Sequence, residues 1–103
     1  MIELTSKQRK LLEKEGQSLS PVVLIGGAGV TEEQIKQIQT VIKVHELIKI
    51  KFNEFKDQKK ELCSLIAENA DSTLVRITGN TALFYKPAEE FSDRKYEKLL
   101  EKA

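Results

Sequence analysis

The segment with the clearest potential for chemistry is the turn Gly-Gly-Ala-Gly at residues 26–29. It follows an apolar run, residues 22–25, that is typical of a short buried strand. After the turn, Thr31 and Gln34 have the spacing of a capping box, which predicts the start of a helix. The backbone N–H groups of such a turn, together with the positive end of the helix dipole, could hold a phosphate group.

The turn differs from the glycine loops of nucleotide-binding enzymes. A P-loop has a lysine after its last glycine, but Gly29 is followed by Val30 and Thr31. The dinucleotide fingerprint has a third glycine where this chain has Glu32, and Glu32 with Glu33 would repel a polyphosphate. A Gly-x-x-Gly turn before a helix is instead found in KH-type domains, where it clamps a nucleic-acid backbone. The motif alone is equally compatible with a purely structural turn.

Two groups of lysines could neutralise the charge of a nucleic-acid backbone. Helical spacing over residues 5–15 predicts a first helix, and a period of two over residues 45–55 predicts a strand with one face in the core. The lysines are Lys7, Lys10 and Lys14 on one helix face, and Lys49 and Lys51 on the outer strand face. On a strand, lysines two residues apart project in parallel about 6–7 Å from each other. Both groups are also compatible with ordinary solvated surfaces.

Residues suited to catalysis or metal binding are scarce. The chain has one His and one Cys, so neither a Cys/His pair with further partners nor a His-containing triad stands out. Cys63 lies among leucines and is expected to be a buried, inert thiol. We therefore expect that the protein is not an enzyme and has no cofactor, no metal site and no small-molecule substrate.

Composition favours one soluble domain. The chain has 103 residues and a net charge of +1, with a mild basic excess (+3) in residues 1–60 and an acidic one (−2) in the rest. That distribution permits a nucleic-acid partner through a local patch without requiring one. A single cysteine, an N-terminus without an apolar signal region and the absence of a membrane-length apolar run predict a cytoplasmic protein without a membrane partner.

The remaining elements complete an α–β–α–β–α–β–β order. A third helix is predicted over residues 57–70, and strands over 73–78 and 81–86 flank a Gly-Asn type II′ hairpin turn. This order predicts a compact α/β domain with a mixed four-stranded sheet packed with helices. We assign residues 1–87 to this domain. Residues 88–103 form a charged tail or a short helix, for which Ser92 is a candidate cap.

Three motifs in this order resemble the bacterial YhbY-like family, whose members are single CRM (chloroplast RNA splicing and ribosome maturation) domains. They are the strand–GxxG–helix junction with the helix before it (residues 4–35), VHELIKIKF (44–52) and VRITGNTALFYKP (75–87). The resemblance covers roughly residues 3–87 and leaves the tail unexplained.

The resemblance implies a fold similar to the C-terminal domain of bacterial translation initiation factor three. In that fold the strand order is 1-2-4-3, and the helices after strands one and two share one sheet face. It also implies RNA binding, with bacterial members associated with precursors of the large ribosomal subunit. The RNA-binding residues that it suggests are Gly26, Gly27, Ala28, Gly29, Lys7, Arg9, Lys10, Lys49, Lys51 and Lys86. With Gly27 and Ala28 inside the turn, the loop offers backbone donors alone.

We therefore predict a monomeric, non-catalytic RNA-binding protein that binds ribosomal RNA or its precursor and assists assembly of the large subunit. The alternative is an adaptor that docks on ribosomal proteins or assembly factors through its tail or sheet face. In that case the glycine turn would be purely structural.

Overall fold

The computed structural model describes residues 2–103 and contains one four-stranded sheet flanked by helices. The helices are α1 (Ser6–Gly16), α2 (Glu32–His45), α3 (Lys59–Asn69) and α4 (Glu97–Glu101), with 3-10 turns at Lys56–Gln58 and Phe91–Asp93. The strands are β1 (Val23–Ile25), β2 (Leu47–Phe52), β3 (Thr73–Thr78) and β4 (Thr81–Tyr85). Their order is β1-β2-β4-β3, with β1 parallel to β2 and the other neighbours antiparallel. The predicted mixed α/β sheet and its 1-2-4-3 order are confirmed.

Both predicted capping boxes form. The Thr5 hydroxyl accepts a hydrogen bond from the Gln8 backbone N–H at 3.1 Å, and the Thr5 N–H donates to the Gln8 side-chain oxygen Oε1 at 3.0 Å. Thr31 and Gln34 make the same reciprocal pair at 3.1 and 3.3 Å. Because each pair satisfies backbone donors that the first helical turn leaves open, the two helices begin where the sequence predicts.

The sheet separates two apolar cores. On one face, α2 and α3 pack their apolar stripes against alternate residues of the strands, among them Ile48, Ile50 and Phe84. On the other face, Leu12 of α1 and Leu100 of α4 pack over Leu47, Leu83 and Tyr85. The period of two in β2 therefore sends Lys49 and Lys51 to the α1 face.

Two positions need a closer description. Gly16 is the last residue of α1, and a Cβ there would lie 2.8 Å from the Leu83 methyl groups. Its absent side chain lets the end of α1 approach β4 closely. Ser92 caps no α-helix: α4 begins at Glu97 after Tyr96, and Ser92 lies in the preceding 3-10 turn.

The β3–β4 hairpin has the predicted turn geometry. Gly79 has φ +57°, whereas Asn80 is not among the residues with positive φ. Only the first central residue of a type II′ turn needs positive φ, so this pattern fits that turn. None of the helices within residues 2–103 is long and apolar enough to cross a membrane.

Candidate nucleic-acid interface

The glycine turn leads directly from β1 into α2. It is closed by a hydrogen bond from the Gly29 N–H to the Gly26 carbonyl at 3.0 Å, and Gly29 has φ +72°. Gly26 and Gly27 have no left-handed φ, and a Cβ added to either would meet no other atom within 4 Å. The backbone therefore favours glycine at position 29 but not at 26 or 27. The surface over Gly26 and Gly27 is open to close approach by another molecule.

Next to the turn, one row of residues crosses the whole sheet on the α1 face. In strand order its members are Leu24, Lys51, Thr81 and Thr78. Leu24 is 53% exposed and Lys51 is exposed, so α1 leaves the β1 and β2 part of this row uncovered. Leu24 lies two residues before Gly26, so the row begins close to the glycine turn.

A groove of about 420 Å³ runs between α1 and the sheet beside this row. Its basic lining residues are Lys10, Lys14, Lys49 and Arg76. Glu13 also lines it, and its carboxylate lies 2.8 Å from the Arg76 guanidinium. The fold thus brings together lysines from α1 and β2 that are far apart in the chain.

Arg76 was missed among the sequence-based candidates. It pairs with Leu83 in the sheet, as Lys49 does from the other side, so all three side chains project to the α1 face. The available signal was a single charged residue in an otherwise uncharged strand. A β-bulge between Leu74 and Arg76 shifts the register, so alternation within β3 could not assign its face.

Arg9 has a different position from the other candidates. Its Nη1 donates to the backbone carbonyls of Leu74 and Val75 at 2.7 and 2.8 Å, which fastens α1 to the bulge in β3. Lys7 is exposed on α1 but does not line the groove.

Lys86 lies away from the glycine turn. It follows the end of β4 that pairs with Leu47, whereas the turn follows the end of β1 that pairs with Phe52. The length of a strand, roughly 17 Å, separates the two ends of the sheet. The Lys86 ammonium instead lies 3.8 Å from the Asp71 carboxylate.

The described residues include no group of three or more His, Cys, Asp or Glu side chains arranged to hold a metal ion. Cys63 is fully buried as expected, and burial raises the pKa of its thiol to about 11. At neutral pH this thiol is protonated and unsuited to nucleophilic attack.

Comparison with known proteins agrees with the motifs. The CRS1/YhbY (CRM) domain model matches residues 4–86. "Probable RNA-binding protein YqeI" of Bacillus subtilis is 32% identical over 84% of this chain and 92% of its own length. An "RNA-binding protein" of Haemophilus influenzae is 32% identical over 87% of this chain and 92% of its own length.

A solved structure has the same fold. The solution structure of a Staphylococcus aureus hypothetical protein, described as a candidate RNA-binding protein, superposes with a TM-score of 0.75. It is 34% identical and covers 90% of this chain and 98% of its own. With a family model spanning nearly the whole sequence and relatives above 30% identity, this chain belongs to the CRS1/YhbY (CRM) domain family.

Proposed function

We propose that this protein is a non-catalytic RNA-binding protein that binds ribosomal RNA or its precursor and assists assembly of the large ribosomal subunit. RNA as the partner is supported by relatives that are named RNA-binding proteins. The ribosomal part of the proposal rests on the resemblance of the three sequence motifs to the YhbY-like family.

The observation that carries the proposal is an open, basic strip on the α1 face of the sheet. The exposed residues Leu24 and Lys51 and the basic groove lie on this face, and the glycine turn begins two residues after Leu24. Such an extended strip suits a polymer with regularly spaced phosphates better than a small ligand, which is bound in an enclosed cavity.

The two parts of this surface have different tasks in the proposal. Residues 26–29 allow the RNA backbone to approach and offer it N–H groups other than that of Gly29, which closes the turn. Glu32 and Glu33 in the first turn of α2 limit how much negative charge can gather there. Lys10, Lys49 and Lys51 therefore contribute most of the electrostatic affinity.

The salt dependence of RNA binding tests this proposal. We expect the unmodified chain to bind a mixed-sequence single-stranded RNA with an affinity that falls as salt rises. Each phosphate contact contributes about 0.7–0.9 to the slope of log K against log salt. The Lys10→Ala/Lys49→Ala double variant should bind more weakly and with a smaller slope. The matched control, Lys36→Ala/Lys43→Ala, removes two exposed charges from α2 and should change the slope little.

Equal slopes for the unmodified chain and the Lys10→Ala/Lys49→Ala variant would contradict the proposed surface. Crosslinking in cell extract, followed by sequencing of the bound RNA, tests the ribosomal assignment. We expect enrichment of large-subunit precursor RNA. Capture of ribosomal proteins that survives ribonuclease treatment, without RNA binding by the purified chain, would favour the adaptor alternative.

A further inference from the structure

Phe55 is an exposed aromatic residue beside the glycine turn. It follows β2 and precedes the 3-10 turn, and its side chain is 42% exposed. A Cβ built on Gly29 would lie 3.5 Å from the Phe55 Cε2, so the ring edge lies against the turn. The ring therefore borders the surface on which we place the RNA backbone.

The backbone of Phe55 is in an unusual conformation for a bulky residue. Its φ and ψ are 57° and 36°, in the left-handed region that glycine and asparagine adopt more readily. Phe55 belongs to neither apolar core, whereas Phe52 and Phe84 are fully buried. Core packing thus does not account for an aromatic ring at this strained position.

Hydrogen bonds fix the Phe55 loop to the glycine turn. The Asn53 and Glu54 N–H groups both donate to the Ile25 carbonyl, at 2.9 and 3.2 Å. Ile25 is the residue immediately before Gly26. The backbone that leads to Phe55 is therefore joined to the residue that precedes the glycine turn.

We propose that Phe55 stacks on an unpaired RNA base while the backbone of the same strand lies on residues 26–29. Every base has a π face, and aromatic side chains bind unpaired bases by stacking without strong sequence preference. A base within a duplex already stacks on its neighbours, so the ligand class is single-stranded RNA or the loop of a hairpin. This inference rests on the proposed function and specifies its substrate.

Charged side chains of both signs lie next to Phe55 in the sequence. Glu54 precedes it, Lys56 follows it and Asp57 comes next, and all three are exposed. Carboxylates repel phosphates but accept hydrogen bonds from the amino groups of bases. The backbone of the bound strand would then lie toward Lys51 and the groove, with a base directed toward Phe55.

Substitution of the ring gives the first test, with the labelled mixed-sequence single-stranded RNA as the probe. Phe55→Leu should reduce affinity at least about fivefold, the lower end of the effect of losing one stacked base, and should leave the salt slope unchanged. Phe91→Leu is the matched control, because Phe91 is 62% exposed but lies in the segment after β4. Its affinity should equal that of the unmodified chain. A blunt RNA duplex should bind Phe55→Leu and the unmodified chain equally.

Two further variants separate stacking from a structural effect. Asparagine tolerates left-handed backbone, so Phe55→Asn should keep the circular-dichroism spectrum and a melting temperature close to that of the unmodified chain while losing affinity. The chain contains no tryptophan, so Phe55→Trp introduces a single reporter. Its fluorescence should be quenched by the single-stranded probe, whereas Phe91→Trp should not respond.

The outcomes distinguish this inference from the proposed function. Unchanged single-strand affinity of Phe55→Leu or an unresponsive Phe55→Trp, with salt-dependent binding intact, would overturn base stacking alone. If the unmodified chain bound neither RNA form, both proposals would be overturned.

Discussion

At the scale of single residues, position in the fold gives neighbouring basic side chains different roles. Arg9 and Lys10 are adjacent in the sequence and both resemble RNA-binding residues of the family. The Arg9 guanidinium donates hydrogen bonds to two backbone carbonyl oxygens of β3, whereas Lys10 is exposed and lines the groove. The sequence could not reveal this difference, since the carbonyls that Arg9 binds are those of a β-bulge more than sixty residues away.

Arg9→Ala should lower the free energy of unfolding by about 1.5–3 kcal/mol, the usual range for hydrogen bonds to a charged group. Lys10→Ala should leave stability within about 0.5 kcal/mol, as for most surface substitutions. Chemical denaturation measures both. In RNA titrations of the folded proteins, the larger loss should be that of Lys10→Ala. The reverse assignment, with a stable but binding-deficient Arg9→Ala, would contradict the structural role of Arg9.

The glycines of the turn also differ from each other. Gly29 has a left-handed φ, so Gly29→Ala should destabilise the fold by roughly 1 kcal/mol. Gly27 has neither a left-handed φ nor a neighbour within 4 Å of an added Cβ, so Gly27→Ala should fold normally.

Gly27→Asp should also fold, but its charge should repel the RNA backbone and reduce affinity. Thermal unfolding and RNA titration of the three variants separate the fold from the site. Normal RNA binding by folded Gly27→Asp would mean that the turn does not contact the backbone.

At the scale of elements, capping and periodicity determined most of what could be predicted. The Thr5–Gln8 and Thr31–Gln34 pairs are local, and the alternation in β2 separates core residues from lysines within six positions. The C-terminal segment lacked such signals. Tyr96 and Leu100 are held by distant residues, since they pack over Leu12, Leu47 and Tyr85 on the α1 face.

A buried carboxylate helps to hold this segment. Glu46 is 1% exposed and has φ +62°, and its Oε2 accepts a hydrogen bond from the Lys95 N–H at 2.8 Å. The Lys95 ammonium donates in turn to the Val44 carbonyl at 2.8 Å. The segment after residue 87 is thus held against the residues that directly precede β2. The division into a domain of residues 1–87 and a tail of residues 88–103 stays a prediction.

The packing of this segment should be visible in the pH dependence of stability. Burial, and next the charges of Glu46 and Glu97, raise the pKa of Tyr85 from 10.0 to about 12. Because the folded state disfavours the ionised form, this contribution is fully present below pH 10 and is lost as the pH rises from 10 to 12.

Unfolding free energy should therefore fall more steeply across this window in the unmodified chain than in Tyr85→Phe, which lacks the ionisable group. Tyrosinate absorbance of a Tyr96→Phe variant reports the titration of Tyr85 directly. Parallel pH profiles for the unmodified chain and Tyr85→Phe, or titration of Tyr85 near pH 10, would contradict its burial beneath the C-terminal segment.

At the scale of the whole molecule, the small net charge of +1 does not reveal that basic side chains are concentrated on one part of the surface. Lys10, Lys14, Lys49 and Arg76 come from three elements and meet at one groove. Their meeting depends on strand order and on the packing of α1 against β4, so the sequence could suggest each group but not their shared surface. The same topology places Lys86 at the opposite end of the sheet, apart from the turn.

The most direct test of the central claim is amide chemical-shift mapping of the isotope-labelled chain during titration with single-stranded RNA. We expect the largest shifts in residues 26–29, at Lys49–Lys51 and along the groove side of α1, with small shifts on the outer faces of α2 and α3. Shifts concentrated around Lys86 and the C-terminal segment, with residues 26–29 unaffected, would contradict the proposed surface.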